Sequence, residues 1–421
     1  WLEAVDYGGI TQASEQWTNN SLTIRFLRRI TKILGDSIYI DVPLYNHLDT
    51  ALSDPFVYKF NKEATNTKSQ IGIENLRVDI ETESSTSENH ARNAVELHEI
   101  EDSWVINSTA LHFWLAGFET STAARVTIKN CRALDPHSTV TGGRRYNFNL
   151  YHASSQVLIE DCHATKGRHH YISNGTSTVS GCAFVNCTGD GALNTSEGHR
   201  LWSMGLLFDR LVETNAQTSR VLGLYNRGTF GSGHGWSAAH SVAWNCHIDG
   251  DIVIQKPPTA QNYGIACSAD NVTGNGPFAG ETGFIEGTGQ ENIEIPSLYQ
   301  AQLEQRMLND REDQTWVSKF ENLENLDTTA NASVKEILSF SITPCEELEV
   351  SVINAGNQPL GDETILFNAD VKNISLAPTV YLRARSVNDQ PVSLSLISQS
   401  GATPYKMDTI NGGGNWQEFS V

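Results

Sequence analysis

The sequence predicts an all-β protein: a right-handed parallel β-helix followed by a C-terminal antiparallel β-sandwich. Three observations carry the prediction. Short apolar strands ending in Asn-Cys or a near equivalent recur as VLIEDC (157–162), CAFVNC (182–187), LLFDRL (206–211) and SVAWNC (241–246). Between them run lines of another kind, rich in His, Tyr, Trp and Arg: NFNLYH (147–152), RHHYIS (168–173), HRLWS (199–203) and GLYNR (223–227). Self-similarity over a few tens of residues without helical patterning marks a stack of coiled strands. The residue after the Asn-like position falls at 76, 108, 131, 162, 187, 210 and 246, in steps of 32, 23, 31, 25, 23 and 36. Such uneven steps suit a β-helix, whose turns absorb insertions, better than a propeller or a leucine-rich repeat.

Each element follows from local chemistry. Residues 1–66 lack the repeat. Strands at 21–30 and 36–44, split by Leu34-Gly35-Asp36, read as a cap over the first coil, which would otherwise expose its interior and an open strand edge. The coil body spans 67–315, starting at IGIENL (71–76). Asn suits the corner between sheets because it tolerates a left-handed backbone. The Gly-rich stretch at 228–240 matches neither a phosphate loop nor a dinucleotide fingerprint and reads as a cleft wall. Pro296-Ser297 opens a short helix over 297–311. From 316 onward, strands at 335–342, 346–353, 379–387 and 392–398 alternate with Gly, Pro and Asn turns, as in a sandwich.

Composition excludes several functions. The chain has 421 residues, 39% hydrophobic and 19% charged, as in a globular protein. A formal charge of −20 argues against a nucleic-acid partner, while leaving room for a local basic groove that meets a polyanionic sugar. No apolar run is long enough to span a membrane, so no membrane partner is expected. Trp1 stands without Met or a signal pattern, which reads as a processed or trimmed start. The seven cysteines lack zinc-type Cys-x-x-Cys spacing and read as buried hydrophobes, so neither a metal site nor a disulfide is expected. A structural calcium is left open, and so is the oligomeric state.

Strand alternation assigns the candidate site. With Leu97, Leu115, Leu150, Ile172, Leu201 and Leu224 taken as pointing inward, one outer face gathers His98, Trp114, Tyr151, Tyr171, Arg200, Trp202 and Tyr225. Aromatics could merely shield a sheet face. Around them, however, stand Arg144, Arg145, His152, Lys166, Arg168, His169, His170, His199, Arg227, His234 and Lys256, a concentration of cations and imidazoles unusual in so acidic a chain.

These residues leave two mechanisms open, with a noncatalytic binder as a third reading. β-Elimination at a uronic acid needs a cation to neutralise the carboxylate and a base and acid of the His or Tyr type. For this, the candidates are His170, Tyr171, His199, Arg200 and Tyr225. Substrate contacts would come from Arg144, Arg145, Tyr151, His152, Lys166, Trp202, Arg227, His234, Trp236 and Lys256. Hydrolysis needs two carboxyls about 5 to 9 Å apart, for which Asp190, Glu197, Asp209, Asp249 and Asp251 are the candidates.

The motifs HRLWSMG (199–205), GHGW (233–236), WNC (244–246), PPTAQN (257–262) and SLYQAQL (297–303) give the chain a resemblance to the pectin-lyase-like superfamily of β-helix proteins. Within it, residues 70–310 are most similar to a bacterial carbohydrate-active subgroup, fucoidan lyases and related marine-polysaccharide lyases. The resemblance implies a secreted, periplasmic or cell-surface enzyme with a His/Tyr-centred elimination site and an anionic, uronate-containing or sulfated polysaccharide as partner. The calcium-binding aspartate cluster of pectate lyases is not evident, which speaks against pectate.

Overall fold

A computed structural model describes residues 24–46, 56–60, 65–175, 178–231 and 233–307, and beyond these the backbone of a helix and of paired strands. Two compact units divide the chain between Glu304 and Gln305.

The first unit is a parallel β-helix with three strand rows per coil. One row stacks the first halves of Asn93–Ile106 and Ala116–Lys129, then Tyr146–Leu150, His169–Ser173, Ser196–Gly198, Arg220–Leu224 and Asp251–Lys256. The second row holds the Asn-Cys strands, from Gly72–Glu74 through Leu158–Glu160, Ala183–Val185, Leu207–Asp209 and Val242–Trp244 to Phe284–Glu286. A third row runs from Arg77–Asp79 to His247–Ile248.

The corner after each second-row strand is left-handed: Asn75, Asn107, Asn130, Asp161, Asn186, Arg210 and Asn245 have φ between 49° and 56°. Asn and Asp bear that backbone at least cost, which explains the recurring strand-Asn signature. The next residue turns inward. Cys131 and Cys162 stand in adjacent layers, with the Cys131 amide donating to Cys162 Sγ at 3.4 Å. In LLFDRL the corner is Arg210, so the stacked residue there is Leu211 and the expected marker at 210 was one position early. Asp209 is the last residue of its strand, paired with Val185. The six described cysteines are buried and free. Their thiols donate to backbone carbonyls, as Cys187 Sγ does to Ile159 O and Val185 O.

Aromatic stacking completes the interior. The rings of Phe118, Phe148 and Tyr171 lie 5.3 and 5.2 Å apart in successive layers, and Phe184 and Phe208 stack at 4.9 Å. Each buried ring of this kind stabilises the fold by about 1.5–3 kcal/mol relative to exposure.

The N-terminal segment pairs Ile30–Leu34 with Ser37–Ile40 around Gly35; residues 21–23 of the expected first strand lie outside the described residues. Its described contacts run along the flank of the coil rather than over its first turn. Arg28 donates to Ser155, Arg29 pairs with Asp102, and Tyr45 fills the space beside Gly181 and Gly205. No helix among the described residues is long and apolar enough to cross a membrane.

The helix Leu298–Asp313 starts against the coil. Its first turn is held by Asp209, whose Oδ2 accepts from Ser297 Oγ and the Tyr299 amide. In the second unit, antiparallel pairs join Leu338–Ile342 to Leu348–Val352, Tyr381–Ala384 to Gln417–Ser420, and Val392–Ile397 to Pro404–Ile410.

Candidate active site

The outer face of the first strand row carries a column in register: Glu119, Asn149, Ile172, Glu197 and Gly223. Glu197 is fully buried there. A Cβ on Gly223 would sit 1.8 Å from Tyr225 Cε1, so the missing side chain makes room for the Tyr225 ring to lean back over the column. Its hydroxyl then donates to Glu197 Oε2 at 2.5 Å. The other oxygen, Oε1, faces His199 Nδ1 at 2.5 Å and Arg227 Nε at 3.3 Å.

This arrangement sets the His199 tautomer. Nδ1 cannot both give its proton to Glu197 and accept one from Arg227 Nη1, which lies 2.7 Å away. Arg227 Nη1 has another acceptor in the His199 carbonyl at 2.9 Å, and Glu197 already takes a proton from Tyr225. The Nδ1–H therefore points to Glu197, and Nε2 carries the lone pair. Burial, then Arg227, His234, Arg168 and Arg200, push the His199 pKa well below the usual imidazole range. His199 is thus a neutral base at pH 7. Burial also raises the Tyr225 pKa, helped by the adjacent Glu197 charge, so its phenol stays a donor.

Around His199 opens a cleft of about 450 Å³, lined by Tyr146, Arg168, Asn174, Arg200, Arg227 and His234 among others. Arg168 Nη2 donates to the Tyr146 hydroxyl at 3.1 Å, and its guanidinium lies 5.4 Å from the Tyr146 ring centre. The Gly-rich loop is clasped to the same place. Leu201 and Trp202 donate to the carbonyls of His234 and Trp236 from consecutive left-handed positions, with φ of 35° and 68°. Two such residues in a row are strained, and they hold the His234 ring 4.8 Å from that of His199.

Of the sequence candidates, His199, Arg200, Tyr225, Arg227 and His234 meet here. His170 and Tyr171 do not. Tyr171 lies inside the coil, donating to the carbonyls of Cys162 and Thr188, and burial raises its pKa. Ile172 is the outward residue, packed with Leu115 and Tyr146. The expectation that the aliphatic points inward fails because the aromatic ladder, not the aliphatic, fills the interior at this height. His170 is also interior, its Nδ1 2.7 Å from Glu213 Oε2, in space kept open by Gly189.

Trp202 and Trp236 are buried in a second apolar cluster with Leu201 and Met204, so they support the loop rather than offering a sugar platform. Arg144 is paired with Glu88, Arg145 donates to Ser138 O and Ser85 O, Lys166 pairs with Asp135, and Lys256 with Glu281. None of these four lines the cleft. Tyr151 and His152 pack on each other at 4.1 Å, with His152 near enough to Arg200 for its pKa to be lowered, after burial, by that charge.

Sequence reasoning missed Tyr146 as a site residue. The strand starts at Tyr146, one position before the expected NFNLYH, and pairs it with His169. The signal available was an aromatic directly after Arg144-Arg145 at the strand's mouth. His169 and Glu197 were visible only as separate residues.

Among the described residues, the carboxyls named for hydrolysis are not gathered as a pair at this cleft. Asp190 faces out from the third strand row, bonded to Asn215 and Thr214. Asp209 is buried under the helix start, Asp249 caps the Asn215 amide, and Asp251 pairs with Asn271. None lines the cleft. His169, Glu197 and His199 come close enough to suggest a metal cage. Their facing atoms are already committed, however: His169 Nδ1 to Thr195 O, and Glu197 Oε1 to His199 with Arg227 beside it. A guanidinium at the ligand oxygens opposes a second cation.

No protein-family model matches the chain, and no curated protein matches it. Among solved structures, the catalytic domain of a GH87 α-1,3-glucanase in complex with tetrasaccharides is similar at 12% identity and a TM-score of 0.29, over 48% of this chain and 52% of that one. The QnrB1 fluoroquinolone-resistance protein is similar at 10% identity and a TM-score of 0.18, over 58% of this chain and 97% of that one. Both scores are too low to carry function, so the functional reading rests on the cleft itself.

Proposed function

We propose that the chain is a carbohydrate-degrading enzyme that cleaves an anionic, uronate-containing polysaccharide by β-elimination. The observation that carries this reading is a neutral, Glu197-oriented His199 in a cleft with three arginines and, among its described lining residues, no second carboxylate. Arg168, Arg200 and Arg227 would neutralise the uronate carboxylate and make the C5 proton acidic. His199 Nε2 takes that proton, the electron pair forms the C4=C5 double bond, and the C4–O bond breaks. The departing oxygen is protonated by the Tyr146 hydroxyl, which the adjacent Arg168 stabilises as it becomes a phenolate. Glu197 keeps the imidazole oriented and offsets the imidazolium charge, while Tyr225 anchors Glu197.

The test is incubation with a panel of uronate-containing and sulfated polysaccharides. An ultraviolet absorbance rise from the unsaturated product is expected, reduced by about 10²–10⁴-fold in His199→Ala. New reducing ends without that absorbance would indicate hydrolysis instead. Binding with neither product would leave a carbohydrate-binding protein.

A further inference from the structure

A second imidazole cluster lies away from the cleft, on the corners that follow the third strand row. His112 and Asp135 occupy successive left-handed corner positions, with φ of 60° and 47°, and His137 follows two residues later. Stacking of coils brings the His112 and His137 rings to 4.2 Å, nearly parallel at 28°. One ligand atom from each of His112, Asp135 and His137 lies within 4.8 Å of the others.

The outer contacts choose which nitrogens are available. His137 Nδ1 is 2.7 Å from Thr82 Oγ1, and His112 Nδ1 is 3.0 Å from Asp79 Oδ1. A carboxylate or hydroxyl on Nδ1 fixes the tautomer and leaves Nε2 as the ligating atom, the usual support of a metal-bound histidine. His137 Nε2 is 3.8 Å from Asp135 Oδ2, too long for a hydrogen bond. Two ligand atoms of a tetrahedral ion with bonds near 2.1 Å are separated by about 3.4 Å, so a small inward shift admits a cation.

Lys166 engages the other oxygen of Asp135 at 3.3 Å and is largely exposed, so it leaves Oδ2 free for an ion. His90 supplies an independent sign. It lies near enough to influence His137, and its two ring nitrogens, both shielded from solvent, have no hydrogen-bond partner among the described residues.

We propose that His112, Asp135 and His137 form a binding site for a divalent transition-metal ion of the zinc class, with His90 beside it. Mixed imidazole and carboxylate donors favour zinc over calcium or magnesium, which prefer all-oxygen sites. The ion's role is bracing. The loops before and after it are already clipped together by Glu88 to Arg144 and Thr139, and by Ser85 O to Arg145. The second loop carries Gly142 and Gly143 to the rim of the cleft. A cation joining the corners of successive coils would stiffen that wall.

The experiment uses the full chain freed of metal and titrated with Zn²⁺, read by calorimetry and by thermal melting, with Ca²⁺ in parallel. One equivalent of Zn²⁺ is expected to bind and raise the melting temperature, with Ca²⁺ inert. His137→Ala and the milder Asp135→Asn should each weaken Zn²⁺ binding at least tenfold, and His199→Ala should not. Zinc X-ray absorption on the wild type should show imidazole and carboxylate donors without sulfur, which keeps the test intact if His137→Ala fails to fold. No Zn²⁺ binding, unchanged affinity in Asp135→Asn, or loss of binding in His199→Ala would each overturn the assignment.

Discussion

Gly223→Ala tests the geometry that poises His199. The new Cβ would sit 1.8 Å from Tyr225 Cε1 and 2.3 Å from Cδ1. An ordinary carbon contact is about 3.5–4.0 Å, so the ring must withdraw by about 1.7 Å. Its hydroxyl, now 2.5 Å from Glu197 Oε2, would then lie beyond bonding range. Losing a hydrogen bond to a charged group costs about 1.5–3 kcal/mol and overpacking about 1–3 kcal/mol, a combined destabilisation of about 2.5–6 kcal/mol. Glu197 would also lose its anchor and His199 its fixed orientation, and a displacement of this size can lower turnover by about 100-fold. Denaturant unfolding gives the first quantity and unsaturated-product formation the second. Tyr225→Phe separates the two, because it removes the hydroxyl without crowding and should reproduce most of the turnover loss at smaller cost in stability. Wild-type stability in Gly223→Ala together with wild-type turnover in Tyr225→Phe would refute the Tyr225–Glu197–His199 chain.

Tyr171→Phe should keep wild-type turnover and lose about 1–3 kcal/mol in denaturant unfolding, because its hydroxyl donates to two interior carbonyls and never reaches the cleft. Stability should fall in acid. His169 and His199 have folded pKa values well below the ordinary 6.5, so below about pH 6.5 the unfolded chain binds protons that the folded chain refuses. The loss begins as pH drops through about 6.5 and levels off below the depressed folded values; a melting temperature that rises on acidification through this window would contradict it. The acid limb of kcat/KM should likewise lie below the ordinary histidine range, since His199 stays a base there. Polysaccharide binding should weaken between low salt and physiological ionic strength, where the screening length is about 8 Å. Salt-independent binding of a neutral glucan would count against the roles of Arg168, Arg200 and Arg227.

Local rules made much of the coil legible. Asn and Asp mark left-handed corners, Cys follows them inward, and strand-length apolar runs recur between. All of this depends on backbone preference and neighbours within a few residues, so VLIEDC and SVAWNC place Cys162 and Cys246 without any long-range information. The imidazole and arginine density between Arg144 and Lys256 was equally plain in the chain. It led to His199, Arg200, Tyr225, Arg227 and His234.

Tertiary structure decided what local pattern could not. Whether Tyr171 or Ile172 faces inward depends on Phe148 stacked in the adjacent layer, because the wider ring fills the interior and its hydroxyl finds carbonyls there. His170 goes inside because Glu213, 43 residues away, and the bare Cα of Gly189 receive it. Glu197 becomes the partner of His199, rather than half of a hydrolytic pair, because Tyr225 crosses from the next coil over Gly223, while Asp190 faces out from another strand row. Strand alternation is a property of the chain, but the orientation of a residue near a corner is set by what the neighbouring coils leave room for. That choice depends on volume and hydrogen-bond partners supplied across layers, which the order of residues along one strand does not contain.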